Sequence, residues 1–289
     1  MDYAAFLAYR KTLSKVKYAL DELNLYPLQA KIANNHPLKK FSYKGYIKKS
    51  SGIRELLQTL FNDFLKQDKI LYLPEDVYPV YFKLAGKSKN IKQYQSCQKS
   101  FFNLPKQENA VLLITHPLIP EGRYLSLQQC VALKQWLAES SQRCLIIDSV
   151  YDFKQQSLDL FFNLPQVIFL MSLSKIASPL LEKQGWALSQ TPFLDSIEKK
   201  QESIIIPIGR AKLLQETFEK AWFELKQSLD LVQIPQVGYL TTIEGNYKDL
   251  YQQYGLSCIP NTVFGIKNNN ISVISCLAVI PIKHISNPT

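Results

Sequence analysis

Five short apolar runs, each stopping at a proline or a small polar residue and each set apart by helical periodicity, constrain this chain more than any other feature. Ile70-Leu71-Tyr72-Leu73 ends at Pro74, Ala110–Thr115 is apolar almost throughout, Cys144–Ile147 ends at Asp148, Val167–Met171 ends at Ser172, and Gly185–Ser189 follows. Continuous apolar runs of this length read as strands buried on both faces. Between and before them lie helical patterns. Ile53, Leu56, Leu57, Leu60, Phe61 and Phe64 repeat as one face behind Ser50-Ser51-Gly52, and Ser126–Ser140 opens on a serine suited to cap it. Tyr78–Ala85 reads as either helix or strand. Strand and helix in alternation give an α/β fold: a mostly parallel central sheet with helices on both faces.

The pattern differs at the two ends. Residues 1–35 read as helical, with Leu13, Val16, Ala19, Leu20 and Leu23 in register, and Asn34-Asn35-His36-Pro37 stops them. From about Ile208 a long helix, Arg210–Leu229, leads into short strands at Tyr239–Thr242, Val263–Ile266 and Ile271–Val279, a smaller α+β C-terminal domain. The expected division is an N-terminal helical arm over 1–40, a large domain over 41–208 and a small domain over 209–289.

Composition narrows the classes of function. At 46% hydrophobic and 20% charged the chain is of ordinary globular type. Its longest apolar runs fall far short of the roughly 20 residues of a spanning helix, and the first residues lack the apolar core of a secretory signal. Five scattered cysteines without a CxxC pair, and three histidines far apart, give no metal site and fit reduced thiols in a cytoplasmic protein. The formal charge of +10 comes from dispersed lysines. That fits an enzyme surface meeting an anionic cofactor and substrate better than a nucleic-acid stripe.

In open α/β sheets ligands sit at the carboxyl ends of strands, and several chemically capable residues fall there. Lys175 follows Ser172 and Ser174 at the end of one strand; Asp148 ends another, with Tyr151 three residues later. Taken singly, each has an ordinary reading: a strand-end aspartate is commonly a helix cap, a serine-rich turn is commonly only a turn, and a lysine is commonly solvated. Taken together they are the parts of a pyridoxal 5'-phosphate site. The lysine serves as the amine, the aspartate holds a protonated ring nitrogen, and the phenol meets a ring oxygen. The N-terminus of the helix behind Gly52 leaves backbone N–H groups for a phosphate.

These segments resemble the fold-type-I aminotransferases of class I and II, in a shortened and divergent form. Leu112–Arg123 is similar to that family's strand followed by an Asn-Pro-x-Asn-Pro-Thr-Gly loop, and Ile146–Phe153 to its aspartate–x–x–tyrosine strand end. Ser172-Leu173-Ser174-Lys175 matches its Ser-x-Ser-Lys signature, and Lys183-Gln184-Gly185-Trp186 falls where it has Arg-x-Gly-Trp. Leu73–Tyr81 resembles the segment that brings an aromatic ring over the cofactor.

The resemblance implies roles. Lys175 forms the internal aldimine and is the catalytic base; Asp148 keeps the pyridine nitrogen protonated; Tyr151 bonds the phenolic oxygen; Tyr78 stacks on the ring. Ser51, Gly52 and Ile53 offer N–H groups to the phosphate, joined by Ser172, Ser174 and Lys183. Tyr43 or Tyr46 reaches the phosphate of a neighbouring subunit, since the family's sites lie at a homodimer interface.

The chain departs from the family at Ile119, where an asparagine is usual, at Lys183, where an arginine is usual, and at Ser272-Val273-Ile274-Ser275, where an arginine clamps the substrate carboxylate. The implied function is an aminotransferase acting on an amino acid or related amine. The alternatives are a lyase, decarboxylase or cyclase using the same cofactor, or a non-catalytic protein of the same fold.

Overall fold

The computed structural model describes residues 2–13, 25, 28–29, 37–77, 80–96, 103–161, 163–176, 184–195 and 197–278. Eight strands form one sheet: β1 Lys39–Ser50, β2 Ile70–Pro74, β3 Ile91–Tyr94, β4 Ala110–Thr115, β5 Cys144–Asp148, β6 Val167–Ser172, β7 Gly185–Ser189 and β8 Lys199–Ile206. Their order is β3-β2-β4-β5-β6-β7-β1-β8. Pairing is parallel from β3 to β6 and antiparallel from β6 to β8.

Alternate strand residues feed opposite faces, as the two-residue period requires. Leu112, Ile114, Leu145, Ile147 and Phe169 join Leu133, Trp136 and Leu137 of helix α4 (Leu127–Ala138) in one core. Val111, Leu113, Ile146, Ile168 and Leu170 face the other way, against helices α2 (Ile53–Lys66) and α3 (Val80–Ala85). The sheet is therefore covered on both sides, and its central strands are apolar because neither face meets water. Ser126 caps α4 in a reciprocal capping box with Gln129.

Helix α5 (Gln156–Phe161) lies before β6, and the long helix α6 (Ile208–Ser228) leads into the C-terminal part. There β9 (Leu240–Glu244), helix α7 (Tyr247–Tyr254), β10 (Ile259–Pro260) and β11 (Ile271–Ser275) build a small antiparallel sheet, in the order β10-β11-β9. A third core gathers α6, this sheet and Phe6 of the N-terminal helix α1 (Tyr3–Lys11), with Leu25 and Leu28.

Several sequence expectations change. Residues 39–50, which show no continuous apolar run, form the twelve-residue strand β1. Phe41, Tyr43 and Ile47 keep the strand period, but lysines and a glycine mask it. Gly45 is needed there because a Cβ would stand 2.5 Å from the Tyr43 hydroxyl folded over it. Strands β3 and β8 carry too many lysines and glutamines to be recognised by apolarity. The described part of Tyr78–Ala85, Val80–Ala85, is helix α3. Val263–Ile266, expected as a strand, is instead a 3-10 turn, Asn261–Phe264, ended by Gly265 at φ +69°. Asn261 closes that turn by donating from Nδ2 to the Ile266 carbonyl at 2.7 Å. Most of the 1–35 helical reading falls outside the described residues.

The loop after β4 joins the two parts of the molecule. Gly122, at φ +64°, leaves no room for a side chain: a Cβ would lie 2.6 Å from Pro235 Cβ, 2.7 Å from the Leu240 carbonyl oxygen and 2.8 Å from that of Val237. Buried His116 anchors the loop. Ser157 Oγ donates to the His116 carbonyl at 2.8 Å and lies 2.7 Å from Nδ1, while the Leu125 N–H donates to Nε2 at 3.2 Å. The imidazole is thus a neutral ring with its proton on Nδ1. Burial pulls its pKa down to about 3.

Candidate functional site

Strand register brings the expected site residues to one end of the sheet. Thr115 pairs with Asp148 and Asp148 with Leu170. Beyond them Ser172, Gly185 and Ser50 lie in one row across β6, β7 and β1. Lys175 sits in the turn that follows β6, and α2 starts three residues beyond Ser50.

Asp148 is only 9% exposed. Tyr81, on α3, donates its hydroxyl to Asp148 Oδ2 at 2.8 Å, and the Val150 N–H donates to Oδ1 at 3.2 Å. Burial raises the carboxyl pKa, and the two donated bonds hold part of that rise back. Among the described residues no cation pairs with this carboxylate. A buried acid with neutral donors alone suits a ligand that brings its own positive charge, as a protonated pyridine ring does.

Lys175 Nζ lies 5.2 Å from the centroid of the Tyr151 ring, close enough for the ring face to attract a cation. Tyr151 in turn packs against buried Tyr239 at 5.9 Å between centroids. The lysine and tyrosine expected to share a site therefore meet.

The phosphate end has its own geometry. Gly52 begins α2 with no side chain of its own to cap the helix, and its own N–H, expected on the phosphate, donates to Ser50 Oγ at 3.1 Å. A Cβ on Gly185 would lie 3.0 to 3.1 Å from the Gly52 backbone and the Ile53 nitrogen. Only a bare backbone at 185 lets β7 come this close to the helix start. Ser51 Oγ donates to Glu55 at 3.2 Å. Ser172 Oγ donates to the Gln184 carbonyl at 3.1 Å and accepts the Ser174 N–H at 3.1 Å. Its hydroxyl shapes the lysine turn as well as lying in the row. The amine, the uncationed carboxylate, the phenol and the uncapped helix start fit pyridoxal phosphate.

Tyr78 and Lys183 fall outside the described residues. Ile119 is buried in the C-terminal core, its N–H on Thr115 Oγ1 at 3.2 Å. Val273 is fully buried in β11, so apolar packing occupies both positions where the resemblance led us to expect polar residues. Of the two tyrosines expected near a neighbouring subunit's phosphate, Tyr43 is 1% exposed within this chain's own core, where burial pushes its pKa up to about 12, and Tyr46 is partly buried. Sequence reading missed Tyr81, although it closed the motif Leu73–Tyr81. It also missed Gln29 and Arg210, which border the lysine turn and have no sequence signature. No group of metal-ligating side chains occurs among the described residues, and no helix among them is long and apolar enough to cross a membrane.

No family model matches the sequence. Curated relatives do. Over 208 residues the chain is 30% identical to a histidinol-phosphate aminotransferase of Clostridium botulinum (strain Okra / Type B1), a match covering 67% of this chain and 56% of the relative. It is 25% identical over 197 residues to histidinol-phosphate aminotransferase 1 of Hydrogenovibrio crunogenus, covering 63% and 52%. The chain spans little more than half the length of these relatives. Among solved structures, a PLP-bound C-S lyase from Staphylococcus hominis aligns with a TM-score of 0.60 at 14% identity, over 95% of this chain and 80% of its own. An aspartate aminotransferase from Rhizobium meliloti aligns at 0.58 and 13% identity, over 95% and 90%.

Proposed function

We propose that this chain is a divergent fold-type-I pyridoxal-phosphate-dependent aminotransferase, a working enzyme acting on an amino acid or related amine through Lys175. The observation that carries the reading is the placement of Lys175 Nζ over the Tyr151 ring, at the same sheet end as the buried Asp148 carboxylate.

When bound, the cofactor supplies an electron sink for the bonds at a substrate's α-carbon. The residues of this chain do the rest. Asp148 Oδ2, steadied by Tyr81, holds a proton on the ring nitrogen. Tyr151 Oη donates to the ring's phenolic oxygen. The N–H groups at the start of α2, behind Ser51, Gly52 and Ile53, would hold the phosphate, joined by Ser172 and Ser174; the roles that the resemblance implies for Lys183 and Tyr78 fall on residues outside the described ones. Lys175 Nζ anchors the cofactor and moves the α-proton of the substrate.

Apolar Val273 in place of a carboxylate clamp favours a second reading. A substrate without a fixed α-carboxylate leaves open which bond stands perpendicular to the ring, so decarboxylation, elimination or cyclisation compete with amino transfer. A drifted, non-catalytic member is the remaining alternative. A homodimer follows from the family, whose sites are shared between subunits.

Reconstitution tests the proposal. Protein incubated with pyridoxal phosphate is reduced with borohydride and mapped by mass. A pyridoxyl group on Lys175 is expected, and its absence with unmodified Lys175 recovered would end the enzyme reading. Amino donors, beginning with histidinol phosphate, are then mixed with the loaded protein. Conversion to the pyridoxamine form supports transfer. Release of carbon dioxide or an aldehyde without that conversion supports the lyase reading.

A further inference from the structure

The turn that carries Lys175 is closed from inside by two bonds, Ser174 N–H to Ser172 Oγ at 3.1 Å and Ile176 N–H to the Leu173 carbonyl at 3.0 Å. The carbonyls of Ser174, Lys175 and Ile176 take their donors from elsewhere. Two distant side chains supply them. Gln29 donates from Nε2 to the Lys175 carbonyl at 2.6 Å and lies 3.4 Å from that of Ser174. Arg210, in the first turn of α6, donates from Nε to the Ile176 carbonyl at 3.3 Å. The two donors are themselves joined, because Arg210 Nη2 donates to the Gln29 carbonyl at 2.7 Å. Lys175, Gln29, Arg210 and Ile176 thus form a closed loop of bonds.

This loop has a cost that packing alone does not require. Gln29 is completely buried, and its Oε1 has no hydrogen-bond partner. Leucine at that place would fill similar space without stranding an acceptor. The residue is explained by its amide N–H groups, whose acceptors are the backbone of the lysine turn.

We propose that Gln29 is a positioning residue for Lys175, fixed in turn by Arg210, and that it keeps the amine over Tyr151. The proposal rests on the cofactor reading above for its purpose but not for its geometry. A nucleophile displaced by about an ångström loses much of its advantage, and the turn has no other side-chain donor from the N-terminal segment among the described residues.

Two readouts test it. In cofactor-free protein, hydrogen exchange of the Ser174 and Ile176 amides reports the turn. In protein with pyridoxal phosphate, the rate of borohydride-trapped labelling at Lys175 reports the amine. Gln29→Leu should speed exchange at both amides at least tenfold and slow labelling at least tenfold. Leu28→Ala, which trims a buried neighbour in the same segment, should lower the melting temperature and leave both readouts near the wild-type values. Should Gln29→Leu not fold, Gln29→Glu keeps the volume and turns an acceptor toward the Lys175 carbonyl, with the same expected changes. Wild-type exchange in the Gln29 variants overturns the proposal, and so does an equal effect from Leu28→Ala. If exchange responds as expected but wild-type protein never labels, the positioning of the turn stands and the cofactor reading falls.

Discussion

The Tyr81 hydroxyl donates to Asp148 Oδ2 at 2.8 Å, across the gap between the first helix after β2 and the end of β5. Both groups are buried. The bond favours the charged form of an acid that burial otherwise pushes toward its neutral form.

Tyr81→Phe removes this donor. A raised carboxyl pKa makes the folded state bind more protons than the unfolded one, so stability is lost as pH rises from the unfolded value through the folded one. The variant raises the folded pKa further and deepens that loss. We expect a cost of about 2 kcal/mol at pH 8, the scale of a hydrogen bond to a charged group, shrinking toward acid pH. Urea melts across pH 5 to 8 measure it; a cost that does not vary with pH would show that Tyr81 only packs.

His116 should make the fold sensitive to acid. Its pKa is depressed to about 3 by burial, so only the unfolded chain takes up the proton as pH falls below the ordinary histidine value of about 6.5. Stability should then drop by about 1.4 kcal/mol per pH unit, or about 2 kcal/mol between pH 6.5 and 5. Denaturant melts of wild-type and His116→Asn protein at pH 7.5 and 5 check this. The variant is expected to be weaker at pH 7.5 but to lose less on acidification.

Two glycines separate backbone strain from crowding. Gly86 and Gly122 both have positive φ, at +73° and +64°, but a Cβ on Gly86 meets nothing within 4 Å. Gly86→Ala should therefore cost only the conformational term, about 1 kcal/mol. Gly122→Ala adds overlap with two carbonyl oxygens and Pro235, and should cost more than about 3 kcal/mol. Chemical denaturation of the pair decides it, and equal costs would mean the loop around Gly122 yields freely.

Glu55 stands in the first turn of α2, whose N-terminus is the proposed phosphate seat. A negative charge there opposes an incoming phosphate. Glu55→Gln should tighten pyridoxal phosphate binding about two- to fivefold at low salt, with the gain fading at high salt because the side chain is exposed. Fluorescence titration at two ionic strengths reads this; no gain at low salt would move the phosphate away from α2.

Much of the sheet was legible in the sequence because β4, β5 and β6 are buried on both faces and so must be apolar throughout. What escaped notice lies where one face or edge meets water. There β1 and β8 carry lysines whose alternation is hard to see. The strand-end residues Asp148, Tyr151 and Lys175 were legible by type and spacing, and the structure places Lys175 beside Tyr151. Tyr81, Gln29 and Arg210 were not, because their relevance comes from tertiary approach, and no local pattern marks a side chain that bonds a turn far along the chain. Ile119 and Val273 were noticed as departures, but only the cores around them show why apolar residues sit there.

The row that joins Ser50, Gly185 and Ser172 also sets an order of events. Ser50 and Gly185 are far apart in the chain, and closing so long a loop is slow compared with forming the neighbouring parallel pairs. During synthesis the lysine turn leaves the ribosome before the strand that completes the row beside it. If the phosphate seats at the start of α2, its capture needs β1 paired with β7, and in refolding cofactor uptake should lag the recovery of secondary structure.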